Sequence, residues 1–223
     1  MNYSQDIDSS DISPEEREIL DYLLVEEQQS QLRLQKITPR QSIINPPLSF
    51  TQQRLWVLEQ IASTGAAYNW SIGMHISGPL RVDVLEKSLT EIMRRHEVLR
   101  TTIGISDGEP FQVVNPLDPM HIEFIDLTDL AAESAEKETQ NIITTAKKHV
   151  FDLAKGPIIR SLLLRLNAQE HVFILSMHHI ASDGWSLGVL LKELSTLYGS
   201  YLLGKESPLD MLPVQYADYA VWQ

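Results

Sequence analysis

An α/β fold of alternating helices and strands, with a helical leader in front, is the architecture that three features of the sequence predict. From Ser49 onward, segments with apolar residues three or four positions apart alternate with segments in which they fall at every second position. Two strongly apolar runs, Ile158 to Leu166 and His171 to Met177, are joined by the polar turn Asn167-Ala168-Gln169-Glu170 and read as central strands. The second run leads directly into a loop, and beyond it Leu187, Leu190, Leu191, Leu194, Leu197 and Tyr201 recur at helical spacing.

The elements follow in order. Ser13-Pro14-Glu15-Glu16 has a helix-start pattern, with Ser13 as cap, Pro14 at the first helical position and Glu16 three residues after the cap. Ile19, Leu20, Leu23 and Leu24 give that helix a narrow apolar stripe, suited either to packing on the domain or to docking an upstream protein. A Gln-rich stretch and then Asn45-Pro46-Pro47, which cannot continue a helix, read as a linker. Residues 1–47 are thus expected as leader and linker, and 48–223 as the folded domain.

Within that domain, Ser49 with Gln52 forms a capping box ahead of Leu55, Trp56 and Leu58. Trp70 to Ser77 alternates as a half-buried strand does. Asp83 and Glu86 box a helix carrying Leu85, Leu89, Ile92 and Met93 on one face. Leu99 to Val114 reads as a hairpin turning at Asp107-Gly108. His121 to Leu127 is a short strand, and Ala132 to Val150 a weakly amphipathic helix.

Composition narrows the chemistry. With 223 residues and 43% apolar content, the chain can bury a substantial core. Its net charge of -12 argues against nucleic acid or an anionic membrane as partner, since both are held by clustered Lys and Arg. The absence of cysteine removes disulfides, thiolate metal sites and a Cys nucleophile. The amino terminus is acidic and polar, and no apolar run reaches membrane-spanning length, so a cytoplasmic location is expected.

Chemistry concentrates in His178-His179-Ile180-Ala181-Ser182-Asp183-Gly184, on a strand-to-helix loop of the kind where α/β proteins place their sites. Adjacent strand residues point to opposite faces, so one of the two histidines should be structural. The same geometry weakens a metal reading, because none of His75, His96, His121, His149 and His171 stands at a spacing that completes a ligand set. By itself a His followed four residues later by Asp is a weak signal, and such a His is commonly a hydrogen-bonded core residue.

The run Met177-His178-His179-Ile180-Ala181-Ser182-Asp183-Gly184-Trp185-Ser186 resembles the active-site motif of condensation domains of nonribosomal peptide synthetases. Three more segments resemble other motifs of that family in the right order. These are Ser49 to Leu58, with Thr51 where Ala is frequent, Arg95 to Ile103, with Ile103 replacing an aromatic, and Tyr216 to Trp222.

The resemblance implies a fold like chloramphenicol acetyltransferase, two similar lobes facing each other across a tunnel, the N-terminal one an α/β (α+β two-layer) sandwich with a mixed sheet covered by helices. Residues 48–223 would form the N-terminal lobe, with the later motifs and the C-terminal lobe absent because the sequence stops at Gln223.

It also implies residue roles. His179 would stand beside the acceptor's α-amine, which has a reference pKa of about 8 and is largely protonated at neutral pH. Its imidazole would either take that proton or hydrogen-bond the amine and steer it. Asp183 would pair with Arg95 and brace the loop, a buried pair whose rupture costs about 3 to 5 kcal/mol. Gly184 would offer an N–H to the oxyanion or serve a tight turn. His178 would point into the core, with Trp185 and Ser186 as packing and helix cap.

The implied activity is amide formation between an upstream acyl thioester and a downstream aminoacyl thioester. Both ride on phosphopantetheine arms of carrier proteins, so the expected partners are donor and acceptor carriers, adjacent synthetase modules and the missing lobe. No cofactor or metal is expected on this chain. A non-catalytic lobe that docks carriers, or an epimerising relative of the same fold, are the alternatives. Gly184-Trp185-Ser186 resembles the condensing type, and heterocyclising relatives replace the His pair with aspartates.

Overall fold

The computed structural model describes residues 36–41, 44–62 and 65–223, so the helix expected from Ser13 lies outside the described residues. Within the unit that begins at Thr38, the apolar runs become the two inner strands of a four-stranded sheet. Its order is β1 (Asn69–Ser77), β6 (Glu170–His178), β5 (Ile159–Arg165) and β4 (Glu123–Asp126). β1 and β5 both run antiparallel to β6, whereas β4 runs parallel to β5, so the sheet is mixed.

Residues of both parities on β5 and β6 are apolar, and both sheet faces are therefore covered. Leu163, Phe173, Leu175 and Met177 pack with Leu85, Leu89 and Ile92 of α2 (Val82–Arg95) and with Leu190, Leu194 and Leu197 of α4 (Gly184–Leu202). Leu162, Leu164, Val172 and Ile174 pack with Ala135 and Ala146 of α3 (Ala132–Lys147). The α/β class and mixed sheet stand, but the layers number three rather than two. A strand apolar on one face only would have tolerated solvent on the other.

Several local expectations hold at atomic detail. Ser49 and Gln52 form the reciprocal capping box of α1 (Phe50–Ala62), with bonds of 3.0 and 3.2 Å. Asp107 and Gly108 both take positive φ, 53° and 86°, in the turn between β2 (Thr101–Ser106) and β3 (Glu109–Val114). This is the backbone a two-residue hairpin turn needs and the reason Asp-Gly occupies it.

Others give way. Asp83 lies inside the first turn of α2 and pairs with Arg81, and Glu86 receives the backbone N–H of Ile122 at 2.9 Å, so no Asp83–Glu86 box forms. The supposed linker is bound to the domain. The Pro46 carbonyl accepts from Gln112 N at 2.8 Å, the Pro47 carbonyl accepts from Gln112 Nε2 at 2.7 Å, and Leu48 is buried. Farther upstream, Arg40 bridges Glu97 at 2.5 Å and Asp218 at 2.7 Å, tying the 3-10 turn at Glu97–Arg100 to α5 (Tyr216–Trp222). Proline excludes helix but not a docked extended chain, which is why the sequence pattern read as free linker.

Asp183 is the N-cap of α4, with φ -140° and ψ -177°. Its carboxylate accepts from Ser186 N at 2.7 Å, while its own N–H donates to Ser186 Oγ at 2.7 Å. The Ser186 amide holds the Asp183 carboxyl below the usual aspartate range. The resemblance-based expectation of a buried Arg95–Asp183 ion pair is therefore corrected, since the carboxylate is committed to the helix end and the residue is exposed.

Two outcomes follow. Leu163→Ala, at a fully buried position facing two helices, is expected to cost about 2 to 5 kcal/mol by urea unfolding. Asp183→Ala is expected to cost about 1 kcal/mol, the value of a cap, rather than the roughly 3 to 5 of a broken buried pair. Because the folded carboxyl titrates below the ordinary value of 3.8, the cap's contribution is complete above that pH and is lost as pH falls through the folded value.

Candidate active site

β6 ends at the first histidine of the pair. His178 N donates to Ile158 O at 3.1 Å, and the next amide, His179 N, reaches across to Tyr68 O at 2.8 Å. The chain then turns through Ile180 and Ala181 before α4 begins at Gly184. This change from ladder to turn sends the two imidazoles into different surroundings.

His178 is 1% exposed. It shares strand parity with Val172, Ile174 and Ser176 and meets the edge of Phe151 at a ring separation of 6.5 Å. Its Nδ1 accepts the backbone N–H of Ile180 at 3.1 Å. A nitrogen that accepts carries no proton in that tautomer, so the proton sits on Nε2, which lies 3.5 Å from Glu59 Oε1. Burial pushes the His178 pKa down, which keeps the ring neutral, and the Glu59 carboxylate opposes that shift only in part.

His179 is exposed. Its Nδ1 lies 3.1 Å from the carbonyl oxygen of Ser182, and a carbonyl oxygen only accepts. In the neutral ring Nδ1 therefore carries the proton, and the lone pair is on Nε2. Adjacent histidines are thus held in opposite tautomers, one buried and one presenting a basic nitrogen at the surface of the loop.

The remaining expected site residues separate. Arg95, the last residue of α2, directs Nε to Glu193 Oε1 at 3.0 Å and also bonds the Asp210 carbonyl. His96 Nε2 meets the other Glu193 oxygen at 2.7 Å. Along α4, about 15 Å of helical rise separates Asp183 from Glu193, so the guanidinium is spent far from the loop. Arg95 thus couples α2 to the middle of α4.

Gly184 opens α4 with no left-handed φ, and a Cβ built there meets nothing within 4 Å. The tight-turn explanation for this glycine finds no support in the geometry. Trp185 is 84% exposed and does not pack in the core, contrary to expectation. Ser186 serves the capping box with Asp183 as cap.

Sequence reasoning passed over Ser182. Its hydroxyl accepts from Trp70 Nε1 at 2.8 Å and donates to His178 O at 3.1 Å, while its carbonyl holds the His179 ring. The only sequence signal was that Trp70 opens the strand destined to lie beside β6, and the pairing register that brings it to the loop is not written in either segment alone. Among the described residues no group of three or more His, Asp or Glu could hold a metal ion, and no helix is long and apolar enough to cross a membrane.

Comparison with known proteins bears on the family. The condensation domain family model matches residues 44–223. One of the linear gramicidin synthase proteins of Brevibacillus parabrevis is 46% identical over 177 residues, which are 79% of this chain and 4% of that protein. Phosphinothricin tripeptide synthetase PhsC of Streptomyces viridochromogenes is 38% identical over 178 residues, 79% of this chain and 16% of that protein. This chain therefore spans a small part of the synthetases it resembles.

Among solved structures, the X-domain from teicoplanin biosynthesis superposes with a TM-score of 0.74 at 27% identity, covering 84% of this chain and 40% of that one. The starter condensation domain of rhizomide synthetase RzmA gives 0.69 at 20% identity over 76% of this chain and 41% of that one, a likeness of fold. With the motif loop, the mixed sheet and a family match running from residue 44 to the last residue all in agreement, the chain belongs to the condensation domain family.

Proposed function

We propose that this chain supplies the catalytic loop of an acyltransferase that forms an amide bond between two carrier-borne acyl groups in nonribosomal peptide synthesis. The observation that carries the reading is the exposed His179 ring, whose Nδ1–H is tied to the Ser182 carbonyl and whose Nε2 is left basic.

In this reading the acceptor's α-amine attacks the donor thioester carbonyl, forming the C–N bond. Nε2 accepts the proton that the amine must lose, and collapse of the tetrahedral intermediate breaks the C–S bond. The departing sulfur of the donor arm takes the proton back from the imidazolium, so the ring ends as it began. Holding two tethered substrates in line supplies a large share of the rate, because effective molarities of oriented pairs remove several kcal/mol of barrier. The Gly184 N–H, at the start of α4 where the helix dipole is positive, is the donor we assign to the developing oxyanion.

The partners in this reading are donor and acceptor peptidyl carrier proteins and neighbouring synthetase modules, with a second lobe walling the tunnel. The substrates ride on the carriers' phosphopantetheine, the chain itself holds no cofactor, and the work takes place in the cytoplasm. The -12 charge suits a protein partner rather than nucleic acid.

His179→Ala, in a protein carrying both lobes and supplied with loaded donor and acceptor carriers, is expected to slow single-turnover condensation by about 100-fold or more. The melting temperature should stay nearly constant, since the ring is exposed. A full-rate variant removes His179 from the chemistry. By NMR, His178 is expected to titrate below the ordinary histidine value of 6.5. Its unfolded-state counterpart binds a proton first as pH drops, so the stability of the neutral buried ring is full above 6.5 and declines as pH falls from there to the folded value. Urea unfolding of wild type and His178→Gln across that range reads the difference.

A further inference from the structure

We propose that Trp70 and Ser182 form a positioning pair that sets the tautomer and direction of the His179 ring. The inference rests on the reading of His179 as the proton acceptor, but its first observable is the state of the ring rather than turnover.

The catalytic loop is held at few points. Ala181 N donates to His178 O at 3.1 Å, Ile180 N donates to His178 Nδ1 at 3.1 Å, and Asp183 N donates to Ser186 Oγ at 2.7 Å. The last of these holds the N–H side of the peptide between Ser182 and Asp183, whose oxygen receives His179 Nδ1. The Ser182 side chain anchors the residue on the carbonyl side of that peptide. Ser182 is 8% exposed, and its hydroxyl has one donor and two acceptor sites. Trp70 Nε1 donates to it at 2.8 Å, and it donates in turn to His178 O at 3.1 Å.

The two ends of this chain of bonds are anchored in the sheet. Trp70 lies on β1 directly opposite Met177, and His178 is the last residue of β6. The indole N–H is a donor only, so the direction of the relay is determined: indole to hydroxyl, hydroxyl to strand carbonyl. With the serine oxygen pinned between two strands, its own carbonyl faces the ring of residue 179 and selects the Nδ1–H form. A phenylalanine at position 70 removes the donor and keeps the ring; an alanine at position 182 removes the hydroxyl and keeps the carbonyl. Both variants leave His179 and its direct partner in place, so any effect on the imidazole passes through the clamp. Trp70 and Ser182 are positioning residues in this scheme.

The experiment uses the 223-residue chain labelled with 15N at histidine. Wild type is expected to show the neutral form of the His179 ring with a protonated Nδ1 and an unprotonated Nε2. Trp70→Phe and Ser182→Ala should each give a mixture of the two neutral tautomers, and the double variant should be no worse than either single change, because one relay is broken in all three. Melting temperatures identify any variant that has lost its fold, and Trp70→Phe, which deletes one N–H and retains an aromatic ring, serves as the second probe if Ser182→Ala has done so.

In the two-lobed protein the same variants are expected to lower single-turnover rate about tenfold and to shift its pH profile, within the roughly 100-fold that a misplacement of about 1 Å brings. Retention of the Nδ1–H tautomer in every variant overturns the pairing, as do single effects that simply add in the double variant. If His179→Ala condenses at full rate while the tautomer still responds to Trp70→Phe, the fault lies in the reading of His179 as the base and the clamp itself stands.

Discussion

The loop of this molecule is arranged around the point where β6 ends, with His178 the last residue of the ladder and His179 the first of the turn. The β1–β6 register places Asn69 against His178, where the ladder ends, and the following amide is captured by Tyr68. One imidazole is thereby committed to the interior, where burial favours its neutral form and a backbone amide claims its Nδ1. The other is released to the surface with its Nδ1 occupied. Two identical residues are set in different hydrogen-bonding surroundings by a single positional difference, and the flanking helices pack against the strand that ends there.

The rest of the loop is built from helix-end physics. Four N–H groups at the start of α4 need partners, and the Asp183–Ser186 box satisfies part of that demand. The carboxylate that the motif pattern pairs with an arginine is here an architectural cap, and the arginine serves the α2–α4 contact through Glu193. Arg95, Glu193 and His96 form one partly buried cluster in which a carboxylate sits between a guanidinium and an imidazole and aligns two helices, whose apolar faces fill the larger core.

Legibility in the sequence followed the range of the interaction. Features governed by a few consecutive residues could be read directly: the Ser49–Gln52 box, the Asp107–Gly108 turn and the alternation of Trp70 to Ser77 all rest on local backbone preferences. The central strands were legible because both parities are apolar, although the same fact required a third layer that the expected sandwich lacked. Features governed by register or by the relative placement of helices were hidden. Nothing near Arg95 favours Glu193 over Asp183, and nothing near Trp70 names Ser182, since both partnerships arise only when distant segments are set side by side. Trp185 misled through its size: large aromatic residues are usually covered, and this one stands out from the first turn of α4.

Arg40 carries a practical consequence for anyone who recombines modules of such synthetases. Its guanidinium sits between the carboxylates of Glu97 and Asp218, one within the Arg95 to Ile103 motif and the other on α5. A splice placed at the double proline, where the sequence invites a cut, leaves those two acids facing each other without their shared cation. A junction drawn ahead of Thr38 keeps the graft electrically whole.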